Sequence, residues 1–268
     1  MSCTSSPSRR RFPARGAVLI ELMVGLTLGL LVVAIGVAAT ALTLGAAATG
    51  RDAADLQERA DSALQRIGEQ VLQAGTVSAT GGAAPRSMRF SRLFDGWNGG
   101  GSAVGGLEGV AGKPDTLRVS REPFSDEHDC LGNSALAKPP STAVQTHLDA
   151  EFYVQPDARD SNRPALYCRG VQWTSSTSVQ AVVAGVDDLQ LRYRIRDADG
   201  LRRYVTADAL DPSTPVEAVQ VCLQLSSEGR HGAAGLLGCD GQPITAKIAA
   251  GRMVRVVRGV FKVRNGPG

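Results

Sequence analysis

The sequence predicts an α+β protein: a long N-terminal α-helix, membrane-spanning in its first half and amphipathic in its second, packed on a mainly antiparallel β-sheet head. Three observations predict it. Leu22 to Gly50 is a run of 29 residues without a formal charge, dominated by Leu, Val, Ile and Ala. Residues 51–75 then carry apolar side chains at steps of three and four. From residue 116 onward, short apolar or alternating runs are separated by Gly, Pro, Asp and Asn. With 268 residues, 43% of them hydrophobic and 21% charged, the chain can bury a true core in one or two domains, which excludes general disorder. Its 31 glycines, 13 prolines and 4% aromatic share make that core modest and the connections many.

Charge is uneven along the chain. The formal net charge is +3, but Arg9, Arg10, Arg11 and Arg15 stand in the first 16 residues with no acid, leaving 25 basic against 26 acidic residues from Ala17 onward. A near-neutral body offers no broad positive field for phosphates, so no direct nucleic-acid binding is expected. The uncharged run, at about 1.5 Å per helical residue, exceeds the roughly 30 Å of a bilayer's hydrocarbon layer. The arginines before it orient the span with residues 1–15 cytoplasmic and the remainder exported. Glu21 sits at the cytoplasmic end of the span between Ile20 and Leu22, and a carboxylate there requires a partner. A secretory signal peptide is the shorter rival, with Ala46-Ala47-Ala48 imitating a cleavage site, but its apolar region normally ends after about 7–15 residues. Ser8-Arg9-Arg10-Arg11-Phe12 also has the look of a twin-arginine export signal, although the same arginines serve as topology determinants.

Beyond the span, Leu56, Ala60, Ala63, Leu64, Ile67, Val71 and Leu72 form one helical face, charged residues cover the rest, and Gly75 supplies a stop. A helix from about Val18 to Ala74 would be a rod of roughly 85 Å. Residues 76–115 are a Gly-rich loop region, with Phe94 and Trp97 expected to pin it to the head. Asn98-Gly99-Gly100-Gly101 lacks both the preceding buried strand and the following Gly-Lys-Ser/Thr of a phosphate loop. The β-rich head, 116–268, has eight strand-like runs: 116–121, 150–154, 165–169, 179–183, 189–195, 202–206, 218–225 and 253–263. Leu189, Leu191, Tyr193 and Ile195 alternate with Gln190, Arg192, Arg194 and Arg196, the period of a strand with one buried face. Asp197-Ala198-Asp199-Gly200 reads as a hairpin turn. As half of a calcium loop it fails, because Ile195 and Thr206 fall where the first and last acids belong.

Five cysteines are present, Cys3 near the start and Cys130, Cys168, Cys222 and Cys239 in the head. An even number in an exported head suits two disulfides. Of the three possible pairings, Cys130 with Cys168 and Cys222 with Cys239 is favoured, since each pair flanks one local excursion. No CxxC pair exists to support the rival zinc site. His128, His147 and His231 lie in polar, turn-rich stretches without HExxH or GxSxG context, so no enzymatic activity, metal or cofactor is expected.

The segment Arg15-Gly16-Ala17-Val18-Leu19-Ile20-Glu21-Leu22-Met23 closely resembles the cleavage and assembly signature of type IV prepilins. The resemblance implies that residues 1–16 are a leader removed by a prepilin peptidase, which cuts after Gly16 and methylates the new terminus at Ala17. The family usually has Phe or Met in that place. Residues 17–50 would then be the transmembrane and assembly helix and 51–75 its amphipathic continuation. Cleavage would create a cation at Ala17, and a neighbouring subunit's Ala17 amine would neutralise Glu21. A minor-pilin branch, the PilW type, is resembled through the run from Glu21 to Leu31 and through Gln73-Ala74-Gly75. Downstream, Asp129-Cys130-Leu131-Gly132-Asn133, Ala165-Leu166-Tyr167-Cys168, Val186-Asp187-Asp188-Leu189-Gln190 and Arg203-Tyr204-Val205-Thr206-Ala207-Asp208 carry the same likeness, with a basic strand near the end. This implies a minor pilin acting in type IV pilus assembly or initiation, and so indirectly in twitching motility, adhesion or DNA uptake. Its partners would be the peptidase, other minor pilins, the major pilin and the inner membrane, with a single pass, a periplasmic head and later a place in the pilus or at its tip. A minor pseudopilin of a type II secretion system and a plain membrane-anchored periplasmic binding protein are the alternatives.

Overall fold

The computed structural model describes residues 17–76, 103–121, 128–133, 148–158, 163–170, 179–211, 214–230, 237–244 and 251–264. The chain divides into two compact units between Gly50 and Arg51. One helix, α1, runs over Ala17–Gln73. In the first unit, residues 19–47 are exposed without exception. Gly25, Gly29, Gly36, Gly45 and Gly50 each cost about 1 kcal/mol of helix propensity in water. Apolar surroundings reverse that balance, because there every backbone group outside a helix would forfeit several kcal/mol. Thr27, Thr40, Thr43 and Thr49 turn their hydroxyls back onto carbonyls three or four residues earlier, which leaves no side-chain donor unspent along this segment.

The second unit holds two antiparallel sheets. The first is a meander of β1 (Val104–Leu107), β2 (Thr116–Arg121), β3 (Leu148–Pro156), β4 (Pro164–Arg169) and β5 (Val179–Ala184), in that spatial order. The second contains β6 (Val186–Arg196), β7 (Arg202–Val205), β8 (Val216–Arg230) and β9 (Arg252–Lys262), ordered β7-β6-β8-β9. Two features differ from the expectation. The head has two sheets instead of one, and the step between them is Gly185, at φ +76°. Its N–H donates to Pro164 of the first sheet and its carbonyl accepts from Ser226 of the second, so one residue joins both ladders. In addition, the Gly-rich region 76–115 contains β1 and a 3-10 turn at Val110–Gly112. Val-Gly-Gly-Leu has little strand propensity, but Gly106 leaves the space in which the Tyr193 hydroxyl lies close to the Thr116 carbonyl and donates to Gly105 at 3.1 Å.

The eight expected strand-like runs lie within or overlap β2–β9, because alternation and β-branched content survive tertiary packing. Along β6, Leu189, Leu191, Tyr193 and Ile195 are buried while their alternates are less so. From α1, Leu56, Ala60, Ala63, Ile67, Val71 and Ala74 join both sheets in one hydrophobic cluster. Leu64 is partly buried against it, and Leu72 is half-buried. Burial of Leu56, Ile67 and Val71 alone stabilises by roughly 5–9 kcal/mol. That is the force that holds residues 51–73 helical, since an isolated segment of this length is marginal. At the helix end, Gly75 N–H donates to Ser120 and Arg121 donates to Gln70 Oε1 at 2.7 Å, tying α1 to β2. The β6–β7 connection is the expected hairpin: Gly200 takes φ +79°, and Asp197 Oδ1 accepts from the Asp199 and Leu201 N–H groups.

Candidate functional site

Fifteen large hydrophobic side chains from Leu19 to Leu44 are exposed on the first unit, at 50–76% of their full accessibility. A soluble monomer does not carry such a surface, so this segment meets lipid or protein. The helix is long and apolar enough to cross a membrane. Glu21 stands near its start, one turn after Ala17, and makes no hydrogen bond or ion pair with a described residue. Its counter-charge must be supplied from outside the described chain. Gly16 lies outside the described residues, as do Phe94, Trp97, the run 98–101, His147 and His231.

In the second unit, each expected cysteine pair comes together. Cys130 and Cys168 are bonded with Cα atoms 6.4 Å apart, and Cys222 and Cys239 with Cα atoms 5.7 Å apart. The first bond fastens the 128–133 turn to β4. There the Asp129 carboxylate accepts the Leu131 and Asn133 N–H groups at 2.8 Å each, and Gly170 is bare because a Cβ would strike that carboxylate. The second bond fastens the 237–244 loop to β8, where Arg258 donates to the Gly238 carbonyl at 3.2 Å. The two bonds sit on different sheets, so the four sulfurs do not converge as a zinc site would require.

Buried charges in the head are paired and act structurally. Arg118 and Arg169 both face Glu151, at 2.9 and 3.2 Å, and the Arg169 guanidinium stands 5.6 Å from the Tyr153 ring centroid. Asp115 binds both sheets: its carboxylate accepts Gly109 N–H at 2.8 Å and Leu191 N–H at 2.7 Å. Burial pushes Asp115 up to about 6 even against those two donors, with Glu108 and Asp188 adding to the rise. A polar cleft of about 470 Å³ lies among Arg66, Gln70, Asp129, Leu131 and Gln180. Among the described residues, no three His, Cys, Asp or Glu side chains are grouped to hold a metal. His128 is exposed, and its carbonyl accepts from Arg121 Nη2.

The arrangement is therefore an apolar helix joined in sequence to a disulfide-fastened β head. A comparison with protein families bears on the second part of this arrangement. Residues 151–265 match the model of PilW, the type IV pilus-assembly protein W family. The match runs from β3 past the end of β9 and takes in Cys168, Cys222 and Cys239, while α1 and Cys130 lie before it. The PilW description is one of pilus assembly, a structural task. Among solved structures, a type IV-like pilin from Thermus thermophilus is similar at 10% identity and a TM-score of 0.40, over 80% of this chain and 96% of that one. No curated protein matches the sequence. Sequence reasoning named the helix, Glu21 and the cysteines. It missed Asp115, whose role depends on two backbone donors that only the fold brings within reach.

Proposed function

We infer that the chain is a minor pilin that takes part in type IV pilus assembly or initiation. The observation that carries this reading is Glu21, a single carboxylate at the head of an exposed apolar helical run that is uncharged from Leu22 to Gly50, in a chain whose residues 151–265 match the PilW family. On this reading the protein enters the inner membrane with its head in the periplasm, and prepilin peptidase cuts between Gly16 and Ala17 and methylates the new terminus. The methylated Ala17 cation of one subunit then meets Glu21 of its neighbour in a bundle of low dielectric, and the apolar helix packs against other minor pilins and the major pilin. Removing one member of such a pair leaves a buried charge uncompensated, at a cost of about 3–5 kcal/mol. Glu21→Ala is expected to be cleaved as wild type is and to lose piliation. Mass spectrometry of the terminus and electron microscopy of surface pili read the two steps separately. A terminus beginning at Met1 would refute the processing, and normal piliation by Glu21→Ala would refute the charge pairing.

A further inference from the structure

An open sheet edge pairs with any strand that reaches it, so natural proteins guard their edges with shortness, charge, proline or a bulge. β1 is four residues long and half glycine, β7 is four residues long and opens on two arginines, and β9 carries Arg252, Arg255, Arg258 and Lys262. The remaining edge, β5, is composed differently. Its six residues, Val-Gln-Ala-Val-Val-Ala, hold neither charge nor proline, and Gln180 and Ala181 are exposed. Of those guards it carries a bulge, at Val182, which leaves Val179–Ala181 in regular register with β4.

The free side of β5 borders the polar cleft of about 470 Å³. Gln180 and Ala181 both line it, and successive strand residues, which point to opposite faces, can do so only where a cleft runs along the strand's edge. Its remaining walls are α1, through Arg66, Glu69 and Gln70, and the 128–133 turn, through Asp129. Two of these polar groups are already engaged. Gln70 Oε1 accepts from Arg121, and the Asp129 carboxylate accepts from the N–H groups of its own turn. The other two are open to a partner: among the described residues, exposed Glu69 accepts from the neutral Gln65 amide at 2.9 Å, and exposed Arg66 has neither a hydrogen bond nor an ion pair.

We propose that β5 takes an extended segment of another protein as a sixth strand of the first sheet, a segment with an acidic and a basic side chain two residues apart that meet Arg66 and Glu69. Residues two apart on a strand share a face and lie about 7 Å from each other. Helix positions three apart hold their Cβ atoms about 5–6 Å from each other, so the two spacings match. Backbone pairing supplies the affinity, and the two charges fix direction and register. A second copy of this chain is the poorer fit, because its β5 brings its own α1 and turn beside the edge, against those that already wall the cleft. This binding depends neither on cleavage at Gly16 nor on Glu21.

The test is fluorescence anisotropy with the full chain in zwitterionic detergent and two fluorescein-labelled peptides, Thr-Val-Thr-Asp-Val-Lys-Thr-Val-Thr and the same peptide with Asp and Lys exchanged. One order is expected to bind about tenfold more tightly than the other, since the exchange turns two attractions into two repulsions. Arg66→Glu combined with Glu69→Arg should invert that preference, with unchanged far-ultraviolet circular dichroism and intact disulfides certifying the fold. N-methylation of alternate peptide residues should weaken binding about thirtyfold in one parity, where two hydrogen bonds to β5 are lost, and leave it unchanged in the other. Amide hydrogen exchange should slow over residues 179–184 when peptide is added and stay as it was in β9. Failure of both peptides to bind at millimolar concentration overturns the proposal, as does a preference that survives the double exchange or an equal loss in both N-methyl series. So does complete protection of residues 179–184 before any peptide is added, which would mean that this chain or a second copy already holds the edge.

Discussion

Gly68 gives the most direct test of how closely α1 lies against the second sheet. In an exposed helix interior, Gly→Ala stabilises by about 1 kcal/mol, because alanine gives up less backbone freedom on folding. Gly68 is buried, and a Cβ there would stand 2.8 Å from Phe261 Cδ1 and closer still to Cε1. Retreat of the ring is hindered by Leu64, whose Cδ2 stands 3.4 Å from the position that a Cβ on Gly259 would take, so the space Gly259 leaves beside the ring is shared with that side chain. Overpacking of this kind costs about 1–3 kcal/mol. Set against the propensity gain, Gly68→Ala is expected to destabilise by up to about 2 kcal/mol, a fall of up to roughly 4–8 °C in Tm for a head of this size. The measurement is thermal unfolding of the detergent-solubilised chain, followed by circular dichroism. Phe261→Leu added to Gly68→Ala should recover most of the loss, giving a coupling of at least about 1 kcal/mol in the double-mutant cycle. A higher Tm for Gly68→Ala alone would mean that the helix and β9 do not meet at this distance, and the packing argument would fail.

The two disulfides close separations of 38 and 17 residues, and chain entropy assigns them about 3.9 and 3.1 kcal/mol. Replacing Cys130 and Cys168 by alanine should therefore lower Tm more than replacing Cys222 and Cys239, and a reversed order would refute the ranking. The pH dependence has a definite sign. Burial raises Asp115 to about 6 from an ordinary 3.8, so between those values the folded chain holds a proton that the unfolded chain has released. Its stabilising contribution is therefore full near pH 4 and is lost as pH rises through about 6. Asp188, also raised by burial, acts in the same sense. For Glu217, burial pushes the carboxyl up but hydrogen bonds from Arg196 and Arg202 more than reverse it. Arg163 holds Glu228 low, so both glutamates oppose Asp115, Glu217 from a half-buried site and Glu228 from an exposed one. Urea midpoints for wild type and Asp115→Asn at pH 4.5, 6 and 7.5 isolate the Asp115 share, and equal pH slopes in the two proteins would contradict it.

What the sequence made legible is what a local period encodes. The step of three and four from Leu56 to Val71 needs only one apolar neighbour surface, and the alternation from Leu189 to Ile195 needs only one buried face, so both survive whatever the rest of the chain does. β1 was hidden because Gly106 makes room for Tyr193, whose hydroxyl donates to the Gly105 carbonyl 88 positions away in the chain. Gly185 was hidden for a related reason: a single left-handed glycine ending one sheet and opening another has the same signature as a hairpin turn. The division of the head into two sheets is a long-range property, written in which ladder each strand joins and in no strand taken alone.

Charge shows the same limit in a form that bears on function. Adding up side chains from Ala17 onward gives a sum near zero, from which a neutral surface follows only if the signs are mixed. Folding sorts them. On β6 the period of two sends Arg192, Arg194 and Arg196 to one face, the hairpin at Asp197 returns Arg202 to the same face, and the register of β9 adds Lys262 beside Ala218. Several of the acids that balance them in the sum lie elsewhere: Asp55, Glu58, Asp61 and Glu69 are on the exposed side of α1, and Asp115 and Glu151 are interior. Glu217 lies among the arginines, 2.9 Å from Arg202, 3.0 Å from Arg196 and 3.5 Å from Arg194, placed there by the bulge that makes it the extra residue of β8, while Glu108 and Asp240 line a cleft with Arg192 and Arg258. A one-residue change in that register would carry Glu217 away from all three guanidinium groups, so the same bulge that irregularises the strand sets how much positive charge the outer face retains.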